Sequence, residues 1–115
     1  MLLRASSKAV EQDVEVQATM GGNGAELVEH GEALVAFAEA VTRGDNNIEG
    51  TRNTLVGSIG VEAFSEASAI VAIFNGLVRT ADATGIPLDE PMRIATEGVR
   101  QTLGIDRFLG AKNTL

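Results

Sequence analysis

The chain of 115 residues contains no cysteine and only one histidine. Within these residues there can be no disulfide, no cysteine-based zinc or iron–sulfur centre and no thiol nucleophile. A single histidine also excludes sites built from two imidazoles, and we predict no metal ion and no cofactor. Tryptophan and tyrosine are absent and only four phenylalanines are present, which leaves few platforms for stacking nucleic-acid bases.

Positive charge is scarce, with nine lysines and arginines against 16 acidic residues and a net charge of -7. The chain therefore lacks the basic surface of nucleic-acid-binding proteins, and we predict no nucleic-acid partner. No apolar run is longer than the one at residues 69–74, which is far shorter than the roughly 18 residues that span a bilayer. Residues 1–7 lack the apolar core of a signal peptide. We expect a cytoplasmic protein with no membrane partner.

Apolar residues recur at helical spacing, and no segment shows the sustained alternation typical of strands. Glycines divide this pattern into helix-sized pieces. The predicted helices cover about 2–18, 25–43, 47–58, 61–84 and 89–104, with a last turn at 106–109. For the fifth helix we predict Asp89 as the N-cap, Pro91 in the first turn and Gly104 at the end, and for the last turn Asp106 as the cap. The sequence thus predicts one all-α domain over residues 1–115, a bundle of five to six helices.

The fourth predicted helix, residues 61–84, is apolar on two sides. One stripe comprises Phe64, Ala67, Val71, Phe74, Val78 and Ala81, and the other comprises Ile70, Ile73 and Leu77. A helix with two apolar sides lies at the centre of a bundle or in an oligomer interface. Because one short chain cannot easily cover both stripes, we predict a homo-oligomer.

The same helix carries a polar stripe formed by four residues within about 80° of one another. These residues are Ser68, Asn75, Arg79 and Asp82. They could form a structural Arg–Asp network between helices or subunits, or a pocket in which Arg79 clamps an anionic ligand. We favour the structural network, because buried ions must be paired and such networks commonly produce polar stripes.

The single histidine, His30, falls on the apolar side of the predicted second helix, near Leu34 and Phe37. Glu26 lies one helical turn earlier and could hold the imidazole. A Glu–His pair can transfer protons at neutral pH. No third group completes a catalytic arrangement, so we favour a packed or half-exposed helix histidine over a catalytic one.

A glycine-rich run, Gly21-Gly22-Asn23-Gly24, separates the first two predicted helices. It lacks the third glycine of a dinucleotide-binding fingerprint and the Lys-Ser/Thr pair of a phosphate-binding loop. We therefore predict a flexible helix connection rather than a phosphate cradle.

Two strings in the second half of the chain carry a family resemblance. They are AIVAIFN at residues 69–75 and RTADATGIPLD at residues 79–89, and a helical pattern at 33–43 precedes them. Together they resemble the C-terminal half of the alkylhydroperoxidase D-like proteins of the carboxymuconolactone decarboxylase superfamily. The resemblance implies an all-helical fold that assembles into homodimers, trimers or hexamers. It also implies that Asn75, Arg79 and Asp82 shape the core or interface beside the site.

Peroxidase members of that family carry a Cys-x-x-Cys pair followed by a histidine, with a glutamate upstream, and none of these positions has a counterpart here. We therefore expect no peroxidase activity in this chain. The first predicted helix also has no N-cap. The chain is expected to be either a fragment lacking the thiol segment or a complete thiol-free relative.

Two other functions stay open. One is a cysteine-free acid–base enzyme of the lactone decarboxylase type, using His30 and Glu26. The other is a non-enzymatic oligomeric module that binds an unknown small molecule, with an anion near Arg79.

Overall fold

The computed structural model of the protein describes residues 15–113. Three α-helices account for most of them: α1 (Gly31–Arg43), α2 (Ile48–Thr84) and α3 (Glu90–Leu103). Short 3-10 helices lie at Val16–Met20, Ala25–Leu27, Ile105–Arg107 and Leu109–Asn113. No strand occurs between residues 15 and 113, so the predicted all-α class is confirmed, whereas the bundle of five to six helices stays a prediction.

Helix α2 contains one residue with a non-helical backbone, Gly60 (φ 81°, ψ 168°). A side chain disfavours this combination of angles, and glycine adopts it readily. The sequence predicts separate helices at 47–58 and 61–84, and the break at Gly60 agrees with the predicted boundary.

The predicted helix over 25–43 is wrong in its first turns. Residues Ala25–Leu27 form a 3-10 turn, and His30 has a left-handed backbone (φ 57°), so α1 begins only at Gly31. The Gly31 N–H donates to the Val28 carbonyl at 2.8 Å. A Cβ at Gly31 would overlap the carbonyl oxygen of Ala25, so this tight turn requires glycine there.

The two ends of the described chain also differ from the prediction. Of the helix predicted over 2–18, residues 2–14 lie outside the described residues, and Val16–Met20 is a 3-10 helix rather than an α-helix. At the other end, Asp106 does not cap a final turn, since it lies inside the 3-10 helix Ile105–Arg107. Its carboxylate accepts a hydrogen bond from Arg100 Nε at 3.0 Å.

The ends of α3 agree with the prediction. The Asp89 carboxylate accepts from the Met92 N–H at 2.9 Å, which satisfies one of the unpaired donors of the first turn. Pro91 lies in that first turn, and Gly104 ends the helix with a left-handed backbone (φ 67°).

The chain divides into two compact units, one up to Asn75 and one from Gly76. Among the residues whose burial is described, the buried apolar ones all lie in the first unit: Ala18, Phe37, Ala40 and Leu55. Phe37 of α1 also contacts Phe64 of α2 edge to face, with 5.2 Å between ring centroids. Among described residues the second unit buries no large apolar side chain, and polar contacts around α3 hold it together.

Candidate functional site

The residues around His30 line a shallow polar depression where α1 begins. Its volume is about 360 Å³. The polar side chains in its lining are Glu26, Glu29, His30, Glu32 and Ser58. The left-handed backbone of His30 sets the direction in which the chain enters α1, so the turn that begins the helix also places the imidazole.

Within this depression Glu26 and His30 do not form the pair that helical spacing predicts. Glu26 lies in a 3-10 turn, and its Oε2 accepts a hydrogen bond from the Gly24 N–H at 2.9 Å. The carboxylate beside His30 is instead Glu29, with 3.6 Å between His30 Nε2 and Glu29 Oε1. Spacing arguments missed Glu29 because they assumed a continuous helix, in which adjacent residues point apart.

The depression can hold or move a proton, since it combines an imidazole with carboxylates. The His30 side chain is 39% exposed, so water reaches the ring. Lys and Arg are missing from its lining, which favours a neutral or cationic molecule over an anion. Within residues 15–113 no group of three or more His, Asp or Glu side chains could hold a metal ion.

The first half of the polar stripe on α2 forms local hydrogen bonds. Ser68 Oγ donates to the Phe64 carbonyl at 2.8 Å. Asn75 Nδ2 donates to the Val71 carbonyl at 3.0 Å and to Thr42 Oγ1 of α1 at 3.1 Å. Asn75 therefore links α2 to α1, on the side of α2 that also carries Phe64.

Arg79 and Asp82, in the second unit, are both exposed in the single chain. The described residues therefore do not bury them in a network between helices, and a network between subunits stays a prediction. Three Arg–carboxylate ion pairs and the His30–Glu29 contact occur among the described residues, and none includes Arg79 or Asp82. The polar stripe thus consists of two half-buried side chains with hydrogen-bond partners, Ser68 and Asn75, and two exposed charged side chains, Arg79 and Asp82. Whether Arg79 binds an anion stays a prediction.

The side of α2 away from α1 is apolar and uncovered. Ile70, Ile73 and Phe74 are 56%, 60% and 64% exposed. At 100° per residue, Ile70 and Ile73 lie on the opposite side of the helix from Asn75. We call Ile70, Ile73 and Phe74 the outer patch. Leu77 and Val78, in the second unit, are also exposed.

Helix α2 is the one helix of the described chain that is long and apolar enough to cross a membrane, judged by length and composition alone. The core helix of a soluble protein passes the same test, and Gly60 breaks the helix internally. This finding is weak support for a membrane span, and the absence of a membrane partner stays a prediction.

Comparisons with known proteins identify no relative of this chain. No protein-family model matches it, and no curated protein and no solved structure matches it significantly. The resemblance to the alkylhydroperoxidase D-like proteins therefore stays a prediction that rests on residues 69–75 and 79–89 alone.

Proposed function

We propose that this protein is a self-associating helical subunit, a thiol-free counterpart of the alkylhydroperoxidase D-like proteins with no peroxidase activity of its own. The observation that carries the proposal is the outer patch on α2. In the proposed assembly the patch of one copy packs against a second copy, and the oligomer completes the helical bundle that the sequence predicts.

The placement of apolar residues supports this proposal. Large apolar side chains normally face the core of a helical protein, and an exposed cluster of them commonly marks an interaction site. Here Ile70, Ile73 and Phe74 face solvent, whereas the half-buried Asn75 faces α1. A second copy supplies an identical apolar patch, as a two-fold symmetric interface requires.

The free energy gained by burying the outer patch of two copies is comparable to the cost of their association. Burying a large apolar side chain is worth about 1.5–3 kcal/mol, so the exposed parts of these three contribute roughly 3–5 kcal/mol per copy. The two copies of a dimer together therefore gain roughly 6–10 kcal/mol, against a cost of association of about 4–15 kcal/mol in lost freedom and ordering. The outer patch therefore forms the apolar centre of the interface, and surrounding residues supply the rest.

The distribution of charge predicts how association should depend on salt concentration. Residues 67–78 contain no charged side chain, so no ion pair holds the centre of the interface. Each copy carries a net charge of -7, and copies repel one another at low ionic strength. Because salt screens this repulsion, we expect association to strengthen as salt rises.

The test is sedimentation velocity of the wild type and Ile73→Glu over a range of protein concentrations. We expect the wild type to sediment as an oligomer and Ile73→Glu to sediment as a monomer, because the new carboxylate would be buried without a partner. The matched control is Ala72→Glu, which adds the same charge to the adjacent exposed residue, about 150° round the helix from the patch centre. A monomeric wild type contradicts the proposal.

The absence of peroxidase activity follows from chemistry. Reduction of a hydroperoxide through a dithiol needs a thiolate, and the 115 residues contain no cysteine. We expect no turnover of an alkyl hydroperoxide by the purified chain with a thiol reductant present and metals removed. Turnover that is abolished by heat denaturation would contradict this expectation.

A second candidate function is acid–base catalysis in the His30 depression. The observation that favours it is that His30 and Glu29 lie 3.6 Å apart in a lining that also contains Glu26 and Ser58. Its test is hydrolysis of neutral lactones by the wild type and His30→Asn, since the lining contains no Lys or Arg that would hold a carboxylated substrate. Asparagine also tolerates the left-handed backbone, so a loss of turnover in a folded His30→Asn would identify the imidazole as the active group.

A further inference from the structure

We infer that Asn23–Gly24 is a site of spontaneous modification, at which the side-chain amide of Asn23 is converted to aspartate and isoaspartate with Glu26 as the proton acceptor. The inference is independent of the proposed function. It rests on the exposure of Asn23, the conformation of Gly24 and the hydrogen bond between Gly24 and Glu26.

The site brings together an amide, a backbone nitrogen and a carboxylate. Asn23 is exposed at a bend between the 3-10 helices Val16–Met20 and Ala25–Leu27. The N–H of the next residue, Gly24, donates to Glu26 Oε2 at 2.9 Å. The Glu26 carboxylate therefore accepts a hydrogen bond through the proton that must leave the Gly24 nitrogen. Only after losing this proton can the nitrogen attack the Asn23 side chain.

The fold also restricts position 24 to glycine. Gly24 has a φ of 114°, which side chains rarely adopt, and a Cβ there would overlap Cβ of Glu15. The absence of a side chain after Asn23 removes the main steric obstacle to ring closure. The residue that the turn requires is thus also the residue that leaves Asn23 most reactive.

The reaction balances without any oxidant or reductant. The Gly24 nitrogen gives its proton to Glu26 and forms a bond to Asn23 Cγ, after which the Cγ–Nδ2 bond breaks and ammonia leaves with the returned proton. The product is a five-membered succinimide. Water then opens the ring at either carbonyl, which yields aspartate or isoaspartate and a new negative charge.

The chain contains an internal reference site, Asn75–Gly76, with the same two residues in a different setting. Asn75 lies inside α2, and its Nδ2 donates to the Val71 carbonyl and to Thr42 Oγ1. Ring closure at Asn75 requires local unfolding of the helix. We therefore expect Asn75 to be protected in the native protein.

The consequence of the reaction lies in the His30 depression, which Glu26 helps to line. Conversion of Asn23 would place a second negative charge three residues before Glu26, the hydrogen-bond partner of Gly24. An isoaspartyl link would also lengthen the backbone ahead of the turn. Both changes weaken the Gly24–Glu26 hydrogen bond and loosen the turn that positions His30.

The experiment is incubation of the full chain at neutral pH, followed by peptide mass spectrometry that separates aspartate from isoaspartate. We expect Asn23 to react about tenfold or more faster than Asn75, because Asn75 requires local unfolding. The same incubation in denaturant is the control, and there the two sites should react at similar rates. Equal rates in the native protein, or an unreacted Asn23, would overturn the inference.

The role of Glu26 is tested with Glu26→Gln, whose side-chain oxygen can still accept from the Gly24 N–H. We expect the rate at Asn23 to fall by about tenfold or more, since a positioned base typically contributes a factor of about 10²–10⁴. An unchanged or raised rate would overturn the assignment of Glu26, because the hydrogen bond would then only hold the turn in place.

Discussion

The two units of this chain are stabilised in different ways. The first contains Leu55, with no exposed surface, and Phe37, which contacts Phe64 edge to face. The second, from Gly76 onward, buries no large apolar side chain among its described residues and relies on the Asp89 cap, the Glu90–Arg93 pair and the Arg100–Asp106 pair. Apolar burial therefore should dominate the stability of the first unit, and polar contacts that of the second.

This difference bears on how the protein assembles. A helical segment with no buried apolar residue gains little from tertiary packing, which is the main source of helix stability in proteins. The second unit is therefore expected to need more apolar contacts than it makes within itself. Self-association would provide them where the interface continues along α2 from the outer patch to Leu77 and Val78, which are exposed in the second unit. Mutations in the two units should then differ in the size of their effect on stability.

The largest expected effect is that of Leu55→Ala in the first unit. Removing a fully buried leucine side chain typically costs about 2–5 kcal/mol, so we expect a loss of that size in the free energy of unfolding by urea. Val61→Ala is the control, because Val61 is 70% exposed and should change the same quantity by about 0.5 kcal/mol or less. Equal losses of unfolding free energy in the two variants would contradict the claim that apolar burial dominates the stability of the first unit.

A smaller effect is expected for Arg100→Met in the second unit. Arg100 donates to Asp106 Oδ1, to the Arg93 carbonyl and to Thr96 Oγ1, and its side chain is 12% exposed. Hydrogen bonds to charged groups are worth about 1.5–3 kcal/mol, and partial exposure of Asp106 reduces this to about 1–2 kcal/mol. The measurement is urea unfolding, with the exposed Arg79→Met as the variant expected to be neutral.

Loss of the α3 cap should lower the free energy of unfolding by somewhat less than Arg100→Met does. Asp89→Ala removes the acceptor of the Met92 N–H, and such replacements typically cost about 1 kcal/mol. Asp89→Asn keeps a capping oxygen and should recover most of that loss. The decisive readout is the free energy of unfolding followed by circular dichroism. A cost as large for Asn as for Ala would mean that the charge, rather than the cap, matters at this position.

The smallest effect concerns pH. The side-chain hydrogen bond from Arg93 lowers the pKa of Glu90 below its ordinary value. A carboxylate with a lowered pKa stabilises the folded state above the ordinary glutamate pKa, and this contribution disappears as pH falls through the lowered value. An NMR titration should show the Glu90 pKa rising toward its ordinary value in Arg93→Met. A pKa that stays low in that variant contradicts the assignment.

Sequence patterns predicted the parts of the fold that depend on short-range rules. The Asp89 cap, the end of α3 at Gly104 and the break at Gly60 follow from capping and backbone preferences that act within a few residues. The turn before α1 was missed, because residues 25–30 have a helical apolar pattern. The observed turn depends on the left-handed backbone of His30 and on the glycine at position 31, where a Cβ would overlap the carbonyl oxygen of Ala25. Such backbone features do not produce a periodic pattern of apolar residues in the sequence.

The candidate site was predicted only in part for the same reason. His30 and Glu26 do line one depression, but their geometry depends on the turn, which brings Glu29 to the imidazole and Glu26 to Gly24. On α2, the pattern identified both apolar stripes and the polar stripe. It could not show that the side with Asn75 faces α1 while the outer patch stays exposed, since that choice depends on tertiary packing.

The absence of cysteine allows the most direct test of the central claim, that copies associate through the outer patch. A single thiol can be placed in the patch with Ile73→Cys, or beside it with Ala72→Cys, and its rate of reaction with a maleimide measured over a range of protein concentrations. The account predicts that the thiol at position 73 becomes protected as concentration rises, while the one at position 72 reacts at a constant rate. Equal reactivity of the two thiols at every concentration would contradict it.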